Sequence, residues 1–198
     1  MKPSSKPRSR RNMIVITGTP GTGKTTISKA IAKSFHADYL SLTRFVTAKG
    51  LYSGIDRERS SKIVDIDRTR KSLRSLTSRG DMIVVDTHVT DCIPRERARR
   101  VIVLRCHPTV LESRLRRKGW SANKVRENVL AEMLDACYMI ALSYYGGKKV
   151  FQLDTSSRRL EKSVALAKKI VLQQASESIT INWIATLKRE RGLERYLE

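Results

Sequence analysis

Eight residues constrain this chain more than any others: Gly18-Thr-Pro-Gly-Thr-Gly23-Lys24-Thr25, which match GxxxxGK[ST] without a mismatch. The apolar run Met13 to Thr17 precedes them and reads as a buried strand. Lys24 to Phe35 follows and reads as a helix, with Ile27, Ala30, Ile31 and Ser34 on one face. Strand, glycine-rich turn and helix in that order make a cradle for phosphate. The glycines let backbone N–H groups turn inward around phosphate oxygens. The helix start adds its positive dipole end. Gly18, Pro20, Gly21, Thr22, Gly23, Lys24, Thr25 and Thr26 are the predicted nucleotide-binding residues. Lys24 supplies a point charge for β and γ oxygens, and Thr25 a hydroxyl for Mg²⁺.

The rest of the chain repeats the same alternation. Tyr39 to Leu42, Met82 to Val85, Val101 to Leu104 and Val150 to Leu153 read as short buried strands. Helices are expected over Thr43 to Lys49 (one or two turns), Asp65 to about Ser78, Pro108 to about Lys118, Lys124 to Tyr144 and Arg158 to Gln174. Gly50 to Gly54 reads as a break, and Gly80-Asp81 as a turn. This pattern predicts an α/β chain with a parallel five-stranded sheet covered by helices on both faces. Ligands on such sheets sit beyond the carboxyl ends of the strands. Chemistry is therefore expected just after Thr17, Leu42, Val85, Leu104 and Leu153.

Asp86 ends the third strand. A carboxylate there can hold Mg²⁺ directly or through water. Asp86 and Thr25 are the predicted metal ligands. His88 follows two residues later, so an extended chain turns both side chains the same way. It reads either as a group that orients water or a nucleophile, or as a packed or solvent-facing loop histidine. Arg114, Arg116, Arg117 and Lys118 crowd a helix end before Gly119-Trp120. They read either as a lid that stabilises transferring phosphate or as a solvated basic face. Lys24, Asp86, His88 and Arg114 are the catalytic candidates. Trp120 is expected to pack. His36 and His107 are assigned to structure.

Charge bounds the partners. Lys plus Arg number 40 against 19 Asp plus Glu, a formal net charge of +21. Such a field attracts nucleotides, RNA and acidic proteins, although it also serves solubility or heat adaptation. Residues 1 to 12 carry five basic residues and no acid, and read as a flexible basic arm. No apolar run is long enough for a membrane span, and no secretory signal is evident. Three widely spaced cysteines argue against a disulfide framework or zinc site and fit a reducing cytosol.

Four stretches together resemble a known family: GTPGTGKTT, VVDTHVTDCIP, VIVLRCHPTVLESRLRRKGW and ENVLAEMLDACYMIALSYY. They are similar to the atypical adenylate kinases of the nucleoside monophosphate kinase superfamily. That family's nuclear eukaryotic members also act in small ribosomal subunit assembly as ATPases, and archaeal proteins belong to it. The likeness spans roughly residues 13 to 157. It implies a three-layer P-loop NTPase fold with strand order 2-3-1-4-5, an AMP-site segment at about 43–67 and a lid at about 114–125. The core domain is placed at 13–177 and a helical extension at 178–198. It implies a Mg²⁺-dependent reaction, ATP + AMP ⇌ 2 ADP, together with ATP hydrolysis. His88 then stands as the family's DxH histidine and Arg114 as its lid arginine. Implied partners are ATP, ADP and AMP, with a small-subunit ribosomal protein and rRNA. A monomer is expected, in the cytoplasm, or the nucleus for a eukaryotic member. Two other readings stay open: an assembly switch with little kinase role, and a small-molecule or polynucleotide kinase on the same scaffold. Lys118 departs from the family's arginine before the glycine, and lysine is the weaker bidentate partner.

Overall fold

Met13–Gly18 (β1) is buried at every position, as a strand covered on both faces must be. The computed structural model describes residues 12–56, 61–76, 82–156, 159–174 and 180–196. β1 lies at the centre of a five-stranded parallel sheet. After it come Lys24–Ser34 (α1), Asp38–Ser41 (β2), Leu42–Ala48 (α2), Tyr52–Asp56 (β3), Ser61–Val64 (β4) and Ile66–Arg74 (α3). Ile83–Asp86 (β5), Ala98–Arg105 (β6), Pro108–Arg116 (α4), Ala122–Met133 (α5), Ala136–Tyr145 (α6), Val150–Asp154 (β7), Leu160–Val171 (α7) and Trp183–Arg189 (α8) complete the order, with a 3-10 turn at Glu194–Tyr196.

The main sheet runs β2-β5-β1-β6-β7, which is the expected order 2-3-1-4-5 counted over its own strands. Every pairing in it is parallel. One face packs Val15, Val85, Val101 and Val103 against α2, α3 and α6. The other packs Ile14, Ile16, Ile102 and Leu104 against α1 and α7. A fully buried Val, Leu or Ile contributes about 1.5–3 kcal/mol, so these two layers fix the sheet. A third cluster joins α4, α5 and α8 through Leu111, Leu115, Val125, Val129 and Leu187.

Several caps follow the sequence. Asp65 accepts from the Arg68 N–H at the start of α3. Pro108 opens α4. Arg97 donates to the carbonyls of Leu73 and Leu76, at 2.7 Å each, and closes the other end of α3. Ser34 of α1 is exposed, so the buried face of that helix is Ile27, Ser28, Ile31 and Ala32.

Two elements correct the sequence reading. The break over Gly50 to Gly54 contains the start of a strand, and β3 and β4 pair antiparallel as a separate hairpin. The expected single helix from Lys124 to Tyr144 is two helices. Asp135 between them adopts left-handed φ, 57°, while its carboxylate is bonded to the Arg105 guanidinium. The Arg105–Asp135 ion pair sits at this break, and Asp is one of the few types besides glycine that adopt left-handed φ readily. The basic arm, apart from Asn12, and the Gly80-Asp81 turn lie outside the described residues. No helix among the described residues is long and apolar enough to cross a membrane.

Candidate active site

The turn after β1 is held open by glycine geometry. Gly18 has φ 135°, and a Cβ there would meet the Leu104 carbonyl oxygen at 2.3 Å. Gly21 has φ 93°, and a Cβ there would strike Leu111 of α4 at 2.8 Å. Only a residue without a side chain fits either place. Gly23 then caps α1, whose first backbone N–H groups point into the turn. The loop is also braced from within. The Thr19 carbonyl accepts from the Thr22 hydroxyl at 2.8 Å, and the Thr155 hydroxyl donates to the Thr22 carbonyl at 3.0 Å.

Lys24 Nζ folds back onto the carbonyls of Gly18 and Thr19, at 2.8 and 3.2 Å. Burial pulls its pKa below the ordinary lysine value, and the charges of Cys137 and Asp86 partly offset that pull. Phosphate oxygens arriving in the loop would give the ammonium a better partner than two carbonyls.

The Thr25 hydroxyl donates to Asp86 Oδ2 at 2.6 Å. The sheet creates this pair: β5 lies beside β1, so the ends of both strands meet at one edge. Tyr39 of β2 adds a third oxygen, its hydroxyl donating to Asp86 Oδ2 at 3.2 Å. Desolvation and the Asp86 charge push the Tyr39 pKa up. A hydroxyl beside one carboxylate is a hard-oxygen donor set that suits Mg²⁺, which takes few protein ligands and keeps waters and phosphate oxygens. No group of three or more His, Cys, Asp or Glu suited to a metal occurs among the described residues.

His88 stands just beyond Asp86, its ring open to solvent. The Thr87 hydroxyl accepts from the Val89 N–H at 2.9 Å and shapes this loop. Desolvation and the Lys24 charge lower its pKa, against a raising effect of Asp86.

A cleft of about 480 Å³ opens beside the loop, between Thr26 and Ile27 of α1, the end of α4 and the start of α7. Its volume falls in the range that houses a nucleoside. Arg114, Arg117, Lys118 and Thr155 line it. Arg114 Nη2 is bonded to the carbonyls of Thr155 and Ser156, at 2.8 and 3.3 Å, so it ties α4 to the loop after β7. Arg117 and Lys118 are exposed at the same wall. Trp120 is half-buried against the α4–α5 cluster with Lys124 over its ring at 4.5 Å. His107 bonds Thr109 and Glu190 and serves structure, as expected. Cys106 is buried at the end of β6, where desolvation raises its pKa to about 11.

Sequence reasoning missed Tyr39, Thr155, Arg105 and Glu132. Arg105 is buried, yet a charged residue directly after VIVL in a strand of this kind is itself a signal. Its Nε donates to Glu132 Oε1 at 2.7 Å, and Gln152 and Asp135 accept from the rest of the guanidinium.

A glycine-built loop, a Thr–Asp pair at the carboxyl ends of two parallel strands and an arginine-bearing helix beside a cleft of about 480 Å³ make a candidate phosphate-binding site of the P-loop type. Comparison with known proteins agrees. The "AAA domain" family matches residues 14–135. A protein of Methanocaldococcus jannaschii named "Putative adenylate kinase" is 31% identical over 170 residues, covering 86% of this chain and 92% of the relative. One from Pyrobaculum aerophilum with the same name is 33% identical over 189 residues, covering 96% of this chain and 94% of the relative. Among solved structures, shikimate kinase from Bacteroides thetaiotaomicron superposes with TM-score 0.56 at 17% identity, over 81% of this chain and 98% of that one. Deoxyadenosine kinase from M. mycoides gives 0.51 at 15%, over 82% and 100%. The chain belongs to the family of these archaeal proteins named "Putative adenylate kinase", a nucleotide kinase family, and it has the fold of the P-loop kinases.

Proposed function

We propose that the chain is a Mg²⁺-dependent adenylate kinase that also hydrolyses ATP. The observation that carries this reading is the Thr25–Asp86 pair with Lys24, set beside a nucleoside-sized cleft. The name shared by its archaeal relatives supports AMP as the acceptor.

In this reading an AMP phosphate oxygen attacks the γ-phosphorus of ATP, and the bond from that phosphorus to the bridging oxygen breaks, leaving two ADP. Mg²⁺ bound at Thr25 and Asp86 would offset the charge of the β and γ oxygens. The loop amides between Gly18 and Thr25 fix the triphosphate, and Lys24 leaves its two carbonyls for phosphate oxygens. Arg114 holds the wall of the cleft while Arg117 and Lys118 supply mobile positive charge. Positioning and electrostatics do most of this chemistry, with no covalent intermediate. Neutral His88 orients the attacking oxygen, water in hydrolysis above all. AMP would occupy the segment at 43–67, which falls on α2, the β3–β4 hairpin and the start of α3.

The net charge of +21 favours a second, compatible reading: an ATPase acting in small ribosomal subunit assembly, bound to a ribosomal protein and rRNA. ATP turnover measured with and without AMP, then with and without small-subunit ribosomal protein and RNA, separates the two. Turnover that requires AMP supports the kinase. AMP-independent turnover stimulated by the ribosomal partners supports the switch. Failure to bind adenine nucleotide with Mg²⁺ would sink both.

A further inference from the structure

We propose that Glu132 is a positioning residue for the phosphate loop, and that Trp183 ties the C-terminal segment to the same carboxylate. The proposal rests on the reading of that loop as the ATP site. Glu132 lies in the last turn of α5, outside the glycine-rich motif, and is only 2% exposed. Its two oxygens face different neighbours. Oε2 accepts from the Thr19 hydroxyl at 2.5 Å. Oε1 accepts from Arg105 Nε at 2.7 Å, from the Cys106 backbone N–H at 3.1 Å and from Trp183 Nε1 at 2.9 Å. A buried carboxylate is costly unless it is paired and hydrogen-bonded in this way.

An ion pair this deep contributes little net stability, because desolvation cancels most of the attraction. What it supplies is a fixed place. Thr19 is the first variable residue of the cradle and is itself buried. Its carbonyl is the acceptor for the Thr22 N–H, the Thr22 hydroxyl and Lys24 Nζ. Whatever sets Thr19 therefore sets the curl of the loop and the resting place of its lysine. Glu132 does so from outside, with Cys137 Sγ 3.9 Å from the same hydroxyl. Arg105 anchors it to the end of β6, and Trp183 anchors it to α8. Trp183 stands well beyond residue 135, where the match to the AAA-domain family ends. The C-terminal segment is thus part of the frame of the phosphate site. A loop preset by its surroundings binds phosphate without first losing conformational freedom.

The test uses the full chain carrying Thr19→Val, Thr19→Ser, Glu132→Gln, Trp183→Phe, or Thr19→Val with Glu132→Gln. Amide hydrogen exchange over residues 18–24 without nucleotide reads the loop alone. KM for ATP, kcat and thermal melting follow, with Lys24→Ala as the control for the ATP site. Thr19→Val and Glu132→Gln should each speed exchange of the loop amides and raise KM for ATP about tenfold. Thr19→Val should nearly keep the melting temperature, while Glu132→Gln, which removes one charge of a buried pair, should lower it. Thr19→Ser should restore both, and the double variant should be no worse than the worse single one. Trp183→Phe should speed loop exchange in the same direction, by less. Unchanged loop exchange in folded Thr19→Val would overturn the proposal, as would additive losses in the double variant. Should Glu132→Gln fail to fold, Thr19→Val decides the question by itself. If the wild type binds no ATP while Thr19→Val still loosens the loop, the reading of the site fails and the positioning role stands.

Discussion

The phosphate cradle and the β3–β4 hairpin lie on the same chain and follow opposite rules. The cradle begins in a strand with every residue buried, and its turn is fixed by Thr19, Thr22 and Thr155. The hairpin stands apart from the main sheet, and its register slips between Tyr52 and Gly54. Tyr52 and Val64 pack against the core at its base, while Ile55 at 63% exposure and Ile63 at 51% stand in solvent. In the proposed reading the cradle holds a triphosphate that is the same in every cycle, so its backbone amides can be set once and buried. In that reading the hairpin borders an acceptor that enters and leaves, and surfaces that serve such exchange belong to the less stable parts of a fold.

Four changes would break or sharpen that contrast. Lys24→Ala removes the one side-chain charge inside the cradle. Steady-state turnover should fall by about 100-fold or more, with and without AMP; near-normal turnover would refute the assigned site. Gly18→Ala attacks the buried backbone itself. It places a methyl against the Leu104 carbonyl at an unfavourable φ and should cost about 1–3 kcal/mol, read by chemical denaturation. An unchanged midpoint would show that the turn is not rigid.

His88 lies where the cradle opens to solvent. Its folded pKa is below the ordinary value of 6.5, so the folded chain binds its proton less readily than the unfolded chain. The stability linked to it is complete above pH 6.5 and is lost as pH falls through the lower folded value. ATP hydrolysis should fall over the same acid window, and His88→Gln should flatten both profiles. His88→Ala should slow hydrolysis more than transfer to AMP; equal losses would remove its special role. The smallest effect belongs to the hairpin. Ile55→Ser with Ile63→Ser should leave the melting temperature within about 2 °C. KM for AMP should shift while AMP-independent hydrolysis stays put. A large loss of stability would mean that the hairpin is as integral as the cradle.

How far the sequence could be read followed the range of each interaction. The strands of the main sheet were legible because each is a short apolar run, and right-handed crossovers restrict how such runs can be ordered. The hairpin was hidden because Gly54 and the polar residues around it resemble a turn. The break at Asp135 was hidden because a single Asp within a helical pattern is a weak local signal. The Arg105 side chain bonded to it arrives from β6. Lys24, Thr25 and Asp86 could be picked out by spacing and strand ends. Tyr39 and Glu132 could not, since Glu132 meets Thr19 across 113 residues.

The sequence by itself determined the glycine turn, its lysine and hydroxyl, and the alternation of strand and helix, because these depend on neighbours along the chain. Only the tertiary structure decided that Glu132 meets the turn, where the cleft opens, and that the helix bearing Trp183 bonds that same carboxylate. Those depend on packing across the sheet and between α4, α5 and α8, where a buried charge takes whatever partner the fold brings within reach.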